Sequence, residues 1–387
     1  MATPGTSATG EQGATRGDGV TGGTVDPSAI ETPIGYVDLR RVAANAARVS
    51  EYASAHGIGW RPHIKTHKSK TVARIQLDAG ARGLTVATLR EAEVMSELTD
   101  DILLAYPPVG AHKLRRLAEL PEAIRLKVAL DSQDVLDPLA SAASAAGRTV
   151  GILVEQDVGM GRVGVQTSAE VVALARRAHD LAGVDFRGIL FYPGHVRMSE
   201  ADQGEHLSSV AARLDQTLSA LDSAGLRSEI VSGGSTPTVW RSHEIDALTE
   251  IRSGSCIFND REAVDVGVAE LQHVAYTVLA TVVSTAVPDQ AVVDAGSKAL
   301  AKESRGGGGG FGVLLDRPDV IVSSLSEEHG VLDLGATTWR PRIGDTVRIV
   351  PNHVCVSVNL QDHLLVEDGD GYDLLTLEGR GRGPWTS

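Results

Sequence analysis

Cysteine is nearly absent from this chain: Cys256 and Cys355 are the only two among 387 residues. Two thiols cannot frame a disulfide-stapled scaffold, so a reducing compartment, the cytoplasm, is expected. Long apolar runs are also missing. No stretch approaches the ~18 apolar residues that mark a membrane-spanning helix, so no membrane partner is expected. Basic charge is in deficit. A net charge of −14 argues against nucleic acid or an anionic lipid surface as a partner. No G-x-G-x-x-G follows the first β-rich run, which weakens a dinucleotide-binding reading. Residues 1–29 carry almost no large apolar side chains and cannot offset their ordering entropy, so they are expected to form a disordered tail. That tail lacks the basic start and apolar stretch of a secretory signal.

From about residue 60 to 256 one theme repeats. Short β-rich runs alternate with amphipathic or Ala-rich segments. The runs are Trp60–Lys65, Leu84–Thr88, Asp101–Tyr106, Arg125–Leu130, Val150–Asp157, Phe186–Tyr192, Glu229–Ser232 and Glu250–Arg252. Between them, Ser132–Ala146, Ser168–Leu181 and Ser199–Ala224 read as helices; Leu207, Val210, Leu214, Leu218 and Leu221 recur at helical spacing. This pattern predicts a closed parallel (β/α)8 barrel over residues 30–270, with a doubly wound open sheet as the alternative. After residue 270 the runs Tyr276–Val287, Gln290–Asp294, Val320–Ser324, Gly330–Leu334, Thr346–Val350 and His363–Glu367 predict a mostly antiparallel β domain over 271–387. Thr32–Leu39 is an extended run that could pair with that domain. Gly306–Gly310 reads as a flexible loop.

In such a barrel, chemistry gathers at the C-terminal ends of the strands. Lys65 ends the first, in Arg61-Pro62-His63-Ile64-Lys65-Thr66-His67-Lys68. Read as a strand, His63, Lys65 and His67 share one face. A partly desolvated lysine beside other cations is suited to be a nucleophilic amine, as a Schiff-base lysine must be. A basic, solvated strand end would look the same. Arg162 follows the fifth run, and Tyr192 and His195 follow the sixth. Gly233-Gly234-Ser235-Thr236 and Gly254-Ser255 follow the seventh and eighth, the usual phosphate-binding place in this architecture. A plain turn with a Ser/Thr cap is the other reading of those loops. In the β domain, His353 and Cys355 stand two apart; on a strand they would face one way and suit Zn²⁺ or a similar ion. A buried cysteine beside a hydrogen-bonded histidine is the competing reading.

Several of these segments resemble the D-threonine aldolase and D-serine dehydratase family of pyridoxal-phosphate enzymes. They are Arg61–Ser69, Ala79–Gly83, Glu91–Val94, Asp157-Val158-Gly159 with Arg162 and Gly164-Val165, and Val358–Asp362. The resemblance runs from about residue 30 to 380. It implies an alanine-racemase-like barrel with a C-terminal β domain, and a homodimer whose active site lies between the barrel of one subunit and the β domain of the other. It implies that Lys65 carries pyridoxal 5'-phosphate and moves a proton at Cα, with His63 and His67 beside it. Arg162 would contact the pyridine nitrogen. Tyr192, Gly233, Gly234, Ser235, Thr236, Gly254 and Ser255 would line the cofactor and hold its phosphate. His353 and Cys355 would bind a divalent metal, with zinc favoured over manganese or magnesium by the thiolate. The implied substrate is a β-hydroxy-D-amino acid. The implied reaction is retro-aldol cleavage of D-threonine-type substrates. Dehydration of D-serine or D-threo-3-hydroxyaspartate is the alternative. An amino-acid racemase and a non-catalytic cofactor-binding protein are the remaining readings.

Overall fold

The computed structural model describes residues 25–26, 29–304, 309–368 and 371–383. Most of the expected tail at 1–29 and most of Gly306–Gly310 lie outside them; Val25, within the tail, forms an antiparallel bridge with Tyr372. Strand β1 (Ile34–Val37) is followed by helix α1 (Leu39–Ala55), whose cap Asp38 accepts from the N–H groups of Arg40 and Arg41. Eight parallel strands then alternate with helices: β2 (Gly59–Trp60), α2 (Lys70–Asp78), β3 (Leu84–Val86), α3 (Leu89–Met95), β4 (Asp101–Leu104), α4 (Ala111–Ala118), β5 (Arg125–Leu130), α5 (Gln133–Ala145), β6 (Val150–Gln156), α6 (Ser168–Asp180), β7 (Val184–Phe191), α7 (Gly204–Ser223), β8 (Ile230–Gly233) and β9 (Glu250–Ile251). Their order is β2-β9-β8-β7-β6-β5-β4-β3. A parallel bridge between His63 and Thr85 joins the two ends, so the sheet closes into a barrel. No described helix is long and apolar enough to cross a membrane.

The barrel interior is layered, as the period of two along a strand requires. At the N-terminal end Arg61 bonds Glu250 and Asp101, and Lys127 bonds Asp101 at 2.7 Å. Leu103, Ala129, Leu153 and Leu190 form an apolar plug above them. Above the plug, at the C-terminal end, lie His63, Glu155 and Arg252.

The second sheet is built from β10 (Tyr276–Ser284), β11 (Gln290–Val293), β12 (Gly312–Leu314), β13 (Arg317–Leu325), β14 (Gly330–Asp333), β15 (Thr346–Pro351), β16 (His363–Asp368) and β17 (Gly371–Thr376), together with β1. Its order is β11-β14-β13-β12-β15-β10-β1-β16-β17, and a further β10–β11 pairing closes the first six into an antiparallel barrel. Within residues 32–39, β1 runs antiparallel to β10 and parallel to β16.

Three short helices complete the chain: α8 (Arg261–Asp265), α9 (Ser297–Leu300) and α10 (Val354–Leu360). The last corrects a reading from sequence. His353 and Cys355 do not lie on a strand; His353 caps α10 and Cys355 sits in its first turn. Val354, Ser357 and Val358, at helical spacing, face the core. Ser357 Oγ donates to Ala299 O and contacts Tyr276 Oη.

Candidate active site

A cavity of about 640 Å³ opens at the C-terminal end of the barrel and reaches the β domain. Its wall includes Lys65, His63, Tyr192, Arg162 and the two loops after β8 and β9, with His353 and Cys355 opposite.

Lys65 does not end a strand. The β-structure stops near His63, and Ile64–Thr66 form a single 3₁₀ turn that buries Ile64 and presents Lys65 outward. The shared-face argument therefore fails for His67. His67 is fully buried outside the cavity, on Gln76 Oε1 through Nε2 and edge-on to Phe258. His63 does line the cavity. Burial, with Lys65 and Arg252 nearby, holds its pKa well below the ordinary histidine value, so it is neutral.

The two loops interlock. Ser255 Oγ donates to Thr236 Oγ1 at 2.9 Å, Cys256 N donates to the same oxygen at 3.2 Å, and Ser253 Oγ donates to Ser235 O at 2.8 Å. Gly234 holds φ +82°, a conformation costly for other residues. A Cβ on Gly254 would stand 2.4 Å from His63 O, so this glycine lets the first and eighth strands' loops meet. Gly233 is set back from the cavity. A Cβ there would lie 2.1 Å from the Phe191 ring, so its bareness serves packing and not ligand approach.

Arg162 is exposed at the rim, its guanidinium 4.9 Å from the Tyr192 ring centroid. It rides on a loop shaped by Asp157, whose Oδ1 accepts from the N–H groups of Gly159, Met160 and Gly161. Beneath it lies a second guanidinium that the sequence reading missed. Arg252 is buried, donates through Nη2 to Phe191 O, and has no partner on Nε among the described residues. Burial raises the pKa of Glu155 beside it, against the pull of Arg252 and Arg162. Alternating charges in Glu250-Ile251-Arg252 were the available signal, because strand residues two apart point into one interior.

His353 and Cys355 stand close enough for each to shift the other's titration. His353 Nδ1 lies 3.2 Å from Asp260 Oδ2, which also accepts from Val354 N at 2.9 Å. Burial disfavours the imidazolium, but Cys355 and Asp260 outweigh it and push His353 up to about 11. Burial raises the Cys355 thiol, yet His353, Lys65 and Thr66 bring it below its ordinary value. A divalent ion would replace the proton of this pair. A histidine backed by a carboxylate, next to a thiolate, is the donor chemistry zinc prefers. No group of three or more His, Cys, Asp or Glu in position to hold a metal occurs among the described residues, so water or substrate would complete the shell.

Comparison with known proteins bears on this arrangement. The alanine racemase N-terminal domain matches residues 37–262, and a serine dehydratase domain matches residues 275–367. D-threonine aldolase of Arthrobacter sp is 32% identical, covering 92% of this chain and 94% of its own length. The chain belongs to the D-threonine aldolase and D-serine dehydratase family. Another member, D-threo-3-hydroxyaspartate dehydratase of Delftia sp. (strain HT23), is 34% identical over 85% of this chain and 92% of its own. A variant of D-threo-3-hydroxyaspartate dehydratase solved in the metal-free form superposes with a TM-score of 0.82 at 30% identity, covering 90% of this chain and 97% of that one. The crystal structure of D-threonine aldolase from Filomicrobium marinum gives 0.84 at 30% identity, covering 91% and 96%. Within this family's cavity the present chain also places Arg197 and Glu262, which the sequence reading did not single out. Tyr276 of the β domain is fully buried against Ser357 and does not reach the cavity.

Proposed function

We propose that this chain is a pyridoxal-phosphate- and divalent-metal-dependent lyase of β-hydroxy-D-α-amino acids, cleaving D-threonine-type substrates to glycine and an aldehyde. One observation carries the reading. The Lys65 amine and the His353–Cys355 pair open on one cavity, with Cys355 Sγ 3.2 Å from Oγ1 of Thr66, the residue after the lysine.

The residues present fit the cofactor: an accessible amine, a Gly/Ser/Thr cradle, and a buried guanidinium with an unpartnered N–H. Lys65 would carry pyridoxal phosphate. Ser235, Thr236, Ser255 and the backbone at Gly234 and Gly254 would hold its phosphate. Tyr192 would flank it, and Arg162 would approach its pyridine side from above Arg252. When bound, the cofactor would draw electrons from the substrate Cα and the metal would polarise the β-hydroxyl. Lys65 moves a proton at Cα. Neutral His63 can accept a proton within the cavity. Cleavage follows if the hydroxyl proton is taken; dehydration to a keto acid and ammonia follows if the Cα proton is taken and hydroxide leaves. Cys355 favours the second reading, because a thiolate selects zinc, a strong Lewis acid for a leaving hydroxide. A cytoplasmic setting is supported by two unpaired cysteines. A homodimer is supported by Tyr106 and Val163, which line the cavity yet are 56% and 42% exposed.

The test incubates purified protein with pyridoxal phosphate and Zn²⁺ or Mn²⁺, offering D-threonine and D-serine separately. Glycine with acetaldehyde establishes cleavage; 2-oxobutyrate or pyruvate with ammonia establishes dehydration. The bound-cofactor absorbance should vanish in Lys65→Ala. Its persistence would remove Lys65 from the role.

A further inference from the structure

We propose that Glu262 and Arg197 form the side-chain end of the substrate site and select against substrates with a second carboxylate. This rests on the lyase reading above. From Lys65 the polar groups of the cavity wall are linked pair by pair. Thr66 Oγ1 is 3.2 Å from Cys355 Sγ, and His353 lies on the cavity wall beside Cys355. His353 Nδ1 is 3.7 Å from Glu262 Oε2, and Glu262 Oε1 is 3.1 Å from Arg197 Nη1. A β-hydroxy amino acid has the same order: Cα, the carbon bearing the hydroxyl, then the side chain. With Cα at Lys65 and the hydroxyl at the His353–Cys355 pair, whatever else Cβ carries faces Glu262.

Arg197 is already paired there. Its Nε donates to Gly194 O at 2.8 Å and its Nη1 to Glu262. Asp260 approaches the same His353 Nδ1, at 3.2 Å, and is buried behind the wall. A side-chain carboxylate would thus enter beside Glu262, with Asp260 buried behind it and Arg197 already paired, and like charges brought together discriminate strongly. The methyl group of threonine or the hydrogen of serine meets no such penalty. The wild-type chain is therefore a lyase of neutral-side-chain substrates, unlike a relative that takes 3-hydroxyaspartate.

The experiment uses the holoenzyme and reads a ratio. Glu262→Gln removes the negative charge at constant shape and frees Arg197 Nη1. The kcat/KM for D-threo-3-hydroxyaspartate relative to D-threonine should rise about tenfold or more. D-aspartate and D-α-aminobutyrate, the deoxy analogues of those substrates, give a second readout that needs no turnover. Their relative dissociation constants, followed by the absorbance of the bound cofactor, should shift the same way. Arg197→Gln alone leaves Glu262 unneutralised and should move both ratios in the opposite direction. The double variant, with neither charge, should fall between the two single variants. Ratios unchanged within about twofold in both single variants would overturn the proposal. If wild-type protein turns over neither substrate, the lyase reading fails, while the analogue-binding ratios still decide the role of the pair.

Discussion

Ser69 N donates to Nδ1 of His67, and His67 Nε2 meets Gln76 Oε1 at 3.1 Å. Both ring nitrogens are used by the neutral form, and burial lowers the pKa to about 4. In the unfolded chain the same ring titrates at about 6.5. Between those values the unfolded state binds a proton that the folded state refuses. Stability is therefore full above about pH 6.5 and falls as pH drops toward 4, by about 3 kcal/mol in all. His63, also held neutral, adds to the same slope. Urea unfolding between pH 7 and 5 should show the decline, and His67→Gln should flatten it. A slope unchanged by that substitution would show that His67 charges freely in the fold. The sequence put His67 beside Lys65 because alternate residues share a face on a strand. One 3₁₀ turn at Ile64–Thr66 broke that periodicity, and nothing in the local composition announces the turn.

At the scale of elements, the eight barrel strands were legible because each is a short run set off from its neighbours, most of them by helices, several of which carry a side-chain cap. Thr167 with Glu170 on α6 makes a full capping box. Helix α10 was not legible. Val354-Cys355-Val356-Ser357-Val358 is rich in β-branched residues and reads as strand. Tertiary contacts override that preference, and Asp260 supplies the decisive one. Its Oδ1 accepts from Ala263 N to start α8, while its Oδ2 accepts from Val354 N to start α10 and meets His353 Nδ1. One carboxylate thus orients a proposed metal ligand and two helix starts. Asp260→Asn keeps one acceptor oxygen but cannot serve all three donors as an anion. Zinc affinity, measured against a competing chelator, should fall about 10–100-fold. Cofactor absorbance, which depends on the barrel side, should remain. Equal loss of both would point to a general collapse and not to a misaligned ligand.

For the whole molecule, the proposed catalytic parts come from segments 289 residues apart, joined where Thr66 meets Cys355. Strand β1 helps hold that junction: it precedes the barrel in sequence but pairs with β10 and β16 in the β domain. Among the described residues the cavity so made stays open. Tyr106 and Val163 stand exposed on its lining, and Val109 nearby in sequence is 62% exposed. Apolar side chains at the mouth of a site that must exclude water are better explained by a covering surface than by solvent. A second copy of the chain is the cover implied by the proposed homodimer. Sedimentation should find a dimer at micromolar protein concentration. Val163→Asp should shift it toward monomer and lower turnover in proportion, while saturating pyridoxal phosphate still gives the Lys65-dependent band. Full turnover from a monomeric variant would show that one chain closes its own site, and the exposed mouth would then need another explanation.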